Sequence, residues 1–320
     1  METERHWATA PLPWQMDNWQ QLLPLVESSK LPHALMVAGP AGIGKRRFLE
    51  ALAALVLCQQ PAAGTACGSC RACTLLDAGS HTDLLSVSTE EDSRVIKIDQ
   101  VRALIDFAAR TPALGERKVI LLGPAEQMNI NAANAVLKCL EEPSPSTLIL
   151  LYSHQPSSLP ATVRSRCQSL VLATPAVEQA RDWLTQQLGQ EQLATQLLDC
   201  SAGRPLAAME LFHSDGLDSQ LAVRKGLQAV LQGKLSALEF PQLVADMELG
   251  SVLRLLQDIL EQHLRSQTSA GDRLCQRRFL LRDQLARLQL SIANGANPNR
   301  QLLVEDCVAQ LTRVVGVNAA

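Results

Sequence analysis

The sequence lacks the long apolar segments that a membrane protein needs. Its 320 residues contain no run of about 18 apolar residues, which excludes an ordinary transmembrane helix. The first residues include Glu2, Glu4 and Trp7 and no apolar segment, so no secretory signal peptide is predicted and a cytoplasmic location is expected. Internal repeats, low-complexity tracts and sustained heptads are also missing, which excludes a solenoid protein or a coiled coil.

An excess of charge of one sign is missing too. The net charge of −3 argues against a protein that coats nucleic acid, although it leaves room for local basic patches. In a cytoplasmic chain the nine cysteines are not expected to form disulfides. What remains is an ordinary globular composition, 47% hydrophobic and 19% charged, long enough for two or three domains.

The first half of the chain alternates short apolar runs with segments of helical spacing. Because the runs are apolar on both faces, they predict a parallel sheet covered by helices on both sides. The predicted strands lie near residues 33–38, 84–87, 119–122, 148–152 and 169–172. Beyond Thr174-Pro175 only helices are predicted, at 177–188, 191–200, 205–212, 219–232, 237–267, 272–292 and 300–315. The predicted layout is an α/β domain (1–173), a small helical lid (174–213) and an all-helical domain (214–320).

A glycine-rich loop follows the first predicted strand and opens a helix. Residues 39–46 read Gly-Pro-Ala-Gly-Ile-Gly-Lys-Arg, which matches the phosphate-binding pattern Gly-x4-Gly-Lys-[Ser/Thr] except at its last position. This position and context predict a P-loop fold. Its candidate nucleotide-binding residues are Gly39, Gly42, Gly44 and Lys45, with the lysine directed at the β- and γ-phosphates. Arg46, however, has no hydroxyl for Mg²⁺ and puts a positive charge where the cation would lie.

A second Mg²⁺ contact is missing at the strand predicted near 119–122. In a hydrolysing site, acidic residues after this strand hold Mg²⁺ and polarise the attacking water. Here the strand runs into Gly123-Pro124, and Glu126 beyond the proline is expected to be a solvent-facing turn residue. Two lost contacts predict a site that does not hydrolyse ATP. Whether nucleotide still binds stays open, because Lys45 and the loop glycines remain.

Four cysteines lie close together directly after the loop helix. Cys58, Cys67, Cys70 and Cys73 have the spacing C-x8-C-x2-C-x2-C. The last three are on one tight turn, and Cys58 can complete a tetrahedron, which is the geometry of Zn²⁺ with four thiolates. Such a closed site leaves no position for substrate, so the predicted zinc is structural. An iron–sulfur cluster, which also takes four cysteines, is the alternative.

Two motifs follow the glycine-rich loop and the cysteines: residues 131–143 read NAANAVLKCLEEP, and residues 165–167 read Ser-Arg-Cys. They resemble the signature NALLKTLEEPP and the Ser-Arg-Cys motif of the clamp-loader branch of the AAA+ ATPases of bacterial DNA polymerase III. The cysteines lie where the family carries its zinc module. The resemblance covers residues 10–210 by motifs and the remainder by layout. Within the family, Arg46 and Gly123-Pro124 resemble the residues at these positions in members that do not hydrolyse ATP.

The resemblance implies that Arg166 is an arginine finger. It would project across a subunit boundary onto the γ-phosphate of ATP held by a neighbouring γ/τ subunit, and an arginine supplied in trans stabilises transition-state charge there. Leu206 stands near the position of the family's sensor arginine in the lid, and Arg204 lies two residues earlier. This is a third departure from an active ATPase.

The function that the resemblance implies is that of a non-hydrolysing subunit. It would join γ/τ and δ subunits in a hetero-pentamer through a helical collar (214–320), and the assembly would place the sliding clamp on primed DNA. The isolated chain is expected to have no polymerase or significant ATPase activity; a DNA-directed DNA polymerase (nucleotidyltransferase) label would belong to the holoenzyme. Two alternatives stay open: an active ATPase that uses Lys45 and Glu126, and a zinc-dependent DNA-binding module.

Overall fold

A five-stranded parallel sheet forms the centre of the N-terminal half, as the apolar runs predict. The computed structural model describes residues 7–90, 93, 95–142, 144–214, 217–266, 273–293 and 296–315. The strand order is β2-β3-β4-β1-β5 and every pairing is parallel. This half of the chain therefore has the α/β fold with a parallel sheet that its sequence predicts. The strands are β1 (Ala34–Ala38), β2 (Leu84–Val87), β3 (Lys118–Leu122), β4 (Thr147–Ser153) and β5 (Gln168–Val171).

Helices cover both faces of this sheet because its inner strands are apolar on both sides. Alternate residues of β1 divide between two cores: Val37 packs with Phe48 of α2, and Met36 packs with Val136 of α5. The helices of this half are α1 (Met16–Glu27), α2 (Lys45–Leu57), α3 (Arg71–Asp77), α4 (Ile98–Ala108), α5 (Ile130–Glu141) and α6 (Ala161–Arg164). Sequence reasoning did not identify α1, α3 or α6. Pro143, the last residue of the motif at 131–143, lies outside the described residues.

The register of the strands brings three chain segments to one edge of the sheet. Ala38, the last residue of β1, is opposite Ser153, the last residue of β4. Leu122, which ends β3, is opposite Leu151 of β4. The P-loop after β1 and Gly123-Pro124 after β3 thus lie on either side of the end of β4, at the carboxyl edge of the sheet, where open α/β sheets bind ligands.

The remainder of the described chain is helical. The protein divides into two compact units, Met1–Trp183 and Leu184–Ala320, and the borders of the three predicted domains stay predictions. None of the described helices is long and apolar enough to cross a membrane. These helices are α7 (Val177–Leu188), α8 (Glu191–Cys200), α9 (Pro205–His213), α10 (Leu217–Leu231), α11 (Phe240–Leu243), α12 (Leu249–Ser266), α13 (Arg273–Ala293) and α14 (Arg300–Val315).

The prediction of a single helical segment at residues 237–267 is wrong. The structure breaks it into α11 and α12, which are separated by a turn. Two carbonyl groups at this break, those of Val244 and Met247, accept hydrogen bonds from the guanidinium of Arg300. Since helix ends leave carbonyls without intrahelical partners, this arginine stabilises the break.

Candidate functional site

The P-loop has the backbone geometry that its sequence predicts. It connects β1 to α2, and Gly42 and Gly44 have positive φ angles of 79° and 86°. A side chain at Gly39 is excluded by close packing, because a Cβ atom there would lie 2.2 Å from the carbonyl oxygen of Leu172. The loop and the N-terminus of α2 therefore retain the form of a phosphate cradle.

The segment before α1 braces this loop, a contact that sequence reasoning missed. The buried amide of Gln15 donates to the carbonyls of Ile43 and Gly44, each at 3.0 Å, and the indole of Trp14 donates to Ile43 at 3.0 Å. These bonds occupy carbonyl groups of the loop. The bonded residues are about thirty positions apart, and no local sequence pattern predicts a contact between them.

The two basic residues that end the loop are both engaged within the chain. Lys45 is 2% exposed, and its ammonium donates to the carbonyl of Gly39 at 2.7 Å and also to that of Pro40. Arg46 is turned along α2 to Glu50, with 2.8 Å between its Nε and Oε1. Burial raises the pKa of Glu50, and the charge of Arg46 opposes that rise. A triphosphate would have to draw Lys45 away from its carbonyl partners.

The place of the missing acidic residue is filled by Tyr152 of β4. A Cβ atom on Gly123 would lie 2.7 Å from the carbonyl oxygen of Tyr152 and 2.8 Å from its ring. The ring is 6% exposed, and burial raises the pKa of its hydroxyl to about 12. A magnesium-binding carboxylate at position 123 therefore has no room.

Glu126 is held inward, so the expectation that it faces solvent is wrong. The residue is half-buried, and its Oε1 accepts a hydrogen bond from the backbone N–H of His154 at 2.9 Å. The bond joins the turn after β3 to the end of β4. The bond gives Glu126 a structural contact through Oε1, whereas its buried Oε2 has no hydrogen-bond partner among the described residues.

The four clustered cysteines converge as their spacing predicts. Their sulfur atoms all lie within 4.8 Å of one another. Three of the separations are 3.9 Å for Cys58–Cys70, 4.0 Å for Cys67–Cys73 and 3.7 Å for Cys58–Cys73. A tetrahedral Zn²⁺ with Zn–S distances of about 2.3 Å places its sulfurs roughly 3.8 Å apart. The sulfur positions therefore fit a four-thiolate metal site.

Hydrogen bonding and burial act in opposite directions on the thiols of the cluster. Backbone N–H groups of Ser69 and Cys70 lower the pKa of Cys67 to about 6, whereas burial raises the pKa of Cys73. Backbone hydrogen bonds to sulfur are typical of metal-bound thiolates, because they offset the charge on the ligands.

Trp19 of α1 donates a hydrogen bond to the carbonyl of Gly64 at 3.0 Å and so connects the cysteine loop to the sheet domain.

Arg166 lies at the surface, just after α6 and before the edge strand β5. Its Nε donates to Oε1 of Glu141 at 2.6 Å, and its Nη1 donates to the carbonyl of Thr162 at 2.8 Å. The side chain remains 32% exposed. Sequence reasoning identified the arginine but not its contact with Glu141.

Arg204 is committed to a buried ion pair in the second unit. Its Nη2 contacts Oδ2 of Asp258 on α12 at 2.5 Å, and its Nε donates to the carbonyl of Ser201 at 2.7 Å. Burial raises the pKa of Asp258 to about 6, and the charge of Arg204 opposes that rise. The arginine near the predicted sensor position therefore joins α9 to α12.

Replacing Asp258 with alanine is expected to lower the free energy of unfolding of this unit by about 3–5 kcal/mol, because it leaves Arg204 buried without its partner charge. Urea denaturation followed by circular dichroism measures the change. The double variant Arg204→Met with Asp258→Leu is the control, since removing both charges should restore most of the loss. Equal stability of the single variant and the wild type would contradict a structural ion pair.

Comparison with known proteins places these features in one family. Residues 14–176 match the sequence family described as "DNA polymerase III, delta subunit". The chain is 39% identical to DNA polymerase III subunit delta′ of Pseudomonas aeruginosa, over 95% of this chain and 98% of that protein. It is 34% identical to the delta′ subunit of Escherichia coli K12, over 78% of this chain and 76% of that protein.

Among solved structures, a γ-subunit-related protein from Thermotoga maritima is similar at a TM-score of 0.47 and 20% identity. The match covers 92% of this chain and 98% of that one. This likeness is too low to bear on function, which the sequence relatives address instead.

Proposed function

The chain belongs to the family of DNA polymerase III delta′ subunits, and on that premise we propose that it is the clamp-loader subunit that does not hydrolyse ATP. The observation that carries the proposal is the arrangement at the carboxyl edge of the sheet. Tyr152 fills the space beside Gly123, and Arg46 is paired with Glu50. Both contacts that an ATPase makes to Mg²⁺ through these positions are thereby lost.

Arg166 is the residue that we assign to ATP chemistry, acting on a neighbour's nucleotide. It is exposed, its charge is permanent, and its planar group presents several donors in a fixed geometry. An arginine with these properties can stabilise the charge that develops on a γ-phosphate at a subunit boundary. The chain's contribution to hydrolysis is thus separated from its own P-loop.

The proposed partners are the other subunits of the clamp loader. A γ/τ subunit would present the ATP that Arg166 faces, and γ/τ and δ subunits would complete a hetero-pentamer. The helices of residues 214–320 would supply the contacts that hold this ring together. Through the assembly, the chain would act on the sliding clamp and primed DNA.

The metal that we assign to the cysteine cluster is zinc, in a structural role. The sulfur separations match a tetrahedral four-thiolate site, which leaves no coordination position for a substrate. The bound metal would hold the loop of residues 58–73 against α1 and α2.

The isolated chain is expected to hydrolyse ATP no faster than a buffer blank, because the site offers no residue to hold Mg²⁺ at Arg46 or Gly123. Phosphate release, measured with and without Lys45→Ala, checks this, with a hydrolysing γ/τ subunit as the positive control. Turnover that Lys45→Ala abolishes would identify an active ATPase.

The role of Arg166 is tested by replacing it with alanine in the reconstituted assembly and measuring DNA-stimulated turnover.

A further inference from the structure

The guanidinium of Arg166 has a carboxylate partner within its own chain. Its Nε donates to Oε1 of Glu141 at 2.6 Å, and its Nη2 contacts the same oxygen. The hydrogen bonds of its Nη1 go to the carbonyl of Thr162 and the hydroxyl of Ser165. One edge of the planar group is therefore occupied by the carboxylate.

The contact is set by the backbone as well as by the two long side chains. Glu141 is the last residue of α5, and this end of the helix is held where His33 contacts the carbonyl of Leu140 at 3.0 Å. Arg166 follows α6, which is anchored on the same core by the fully buried Val163. The packing of these helices therefore brings the carboxylate and the guanidinium together.

A phosphate and this carboxylate compete for the same donors. Arginine recognises phosphate and carboxylate through the same N–H groups, and two anions at one edge of the group would repel each other. An arginine bound to Glu141 through Nε and Nη2 cannot offer that edge to a γ-phosphate. The contact with Glu141 and the contact with ATP thus exclude each other at this edge.

We infer that Glu141 is a positioning residue that holds Arg166 back until a neighbouring subunit presents ATP, an inference that rests on the proposed function of Arg166. The two side chains are 32% and 47% exposed, so solvent weakens their attraction. Exposed ion pairs of this kind shift an equilibrium by only about 1.4- to 5-fold. The pair is strong enough to lower the fraction of available arginine, and weak enough for a triphosphate to displace it.

The test is Glu141→Gln in the reconstituted clamp loader. Basal ATP turnover without DNA is expected to rise by about 1.5- to 5-fold. DNA-stimulated turnover should change less, because Arg166 already contacts ATP in the stimulated state. The ratio of stimulated to basal turnover should fall accordingly. A rise distinguishes release of the arginine from structural damage, which would lower both rates.

Glu142→Gln is the matched control, since it removes the same charge one residue further along and Arg166 makes no hydrogen bond to Glu142. It should leave both rates unchanged. The double variant Glu141→Gln with Arg166→Ala should behave like Arg166→Ala alone, because Glu141 acts only through the arginine. An equal rise in Glu142→Gln, or no rise in Glu141→Gln, would overturn the inference.

The failure of this inference can be told apart from failure of the proposed function. If Arg166→Ala leaves turnover unchanged in an intact assembly, the proposed role of the arginine is wrong. If Arg166→Ala lowers turnover but Glu141→Gln matches the wild type, only the role of Glu141 is wrong.

Discussion

In a reconstituted clamp loader, Arg166→Ala is expected to slow hydrolysis at the facing ATP site by about 10³-fold or more, with the assembly intact. Transition-state charge on the γ-phosphate would lose its stabilising cation, whereas ATP binding depends on the neighbour's own loop. DNA-stimulated turnover of the whole assembly should fall by at least the fraction of ATP turnover that this site contributes. Phosphate release in steady state and in a single turnover measures both quantities.

Two further variants make this experiment specific to the guanidinium. Arg164→Ala removes the same charge two residues earlier, at the last position of α6, and should retain most of the turnover. Arg166→Lys keeps the charge but loses the planar donor group, and should recover little. Wild-type turnover by Arg166→Ala, with assembly verified by size-exclusion chromatography, would remove the proposed role.

Loss of the metal site is expected to have the largest effect on stability. The double variant Cys67→Ser with Cys70→Ser removes two of four ligands and should abolish stoichiometric zinc binding. The free energy of binding in zinc-finger peptides, about 10–16 kcal/mol, sets an upper limit on the cost. Because the sheet keeps its own core, the expected result is a fall in Tm of about 10 °C or more with the sheet domain still folded.

Metal analysis and thermal unfolding monitored by circular dichroism check this prediction. Cys275→Ser is the control, because Cys275 lies on α13 outside the cluster and should affect neither metal content nor Tm. Iron in place of zinc would identify the iron–sulfur alternative. Purified protein with no metal and an unchanged Tm in the double variant would contradict a structural metal site.

Local sequence signals were sufficient where one segment carries the whole pattern. The P-loop could be predicted because a strand, three glycines and Lys45 follow one another in eight residues after β1. The cysteine cluster could be predicted because ligand spacing within sixteen residues limits the possible geometry. In contrast, α1 and α3 were missed, and residues 237–267 were taken for one segment although Arg300 stabilises a break within them.

The sequence by itself determined the family, the α/β character of the first half, the degenerate P-loop and the cluster of four cysteines. Each depends on residue types at short, fixed spacings, which constrain the backbone directly. Tertiary structure alone decided that Tyr152 covers Gly123, that Glu141 holds Arg166 and that Asp258 pairs with Arg204. These partners are 25 to 54 residues apart, so their meeting depends on how strands and helices pack and not on any local pattern.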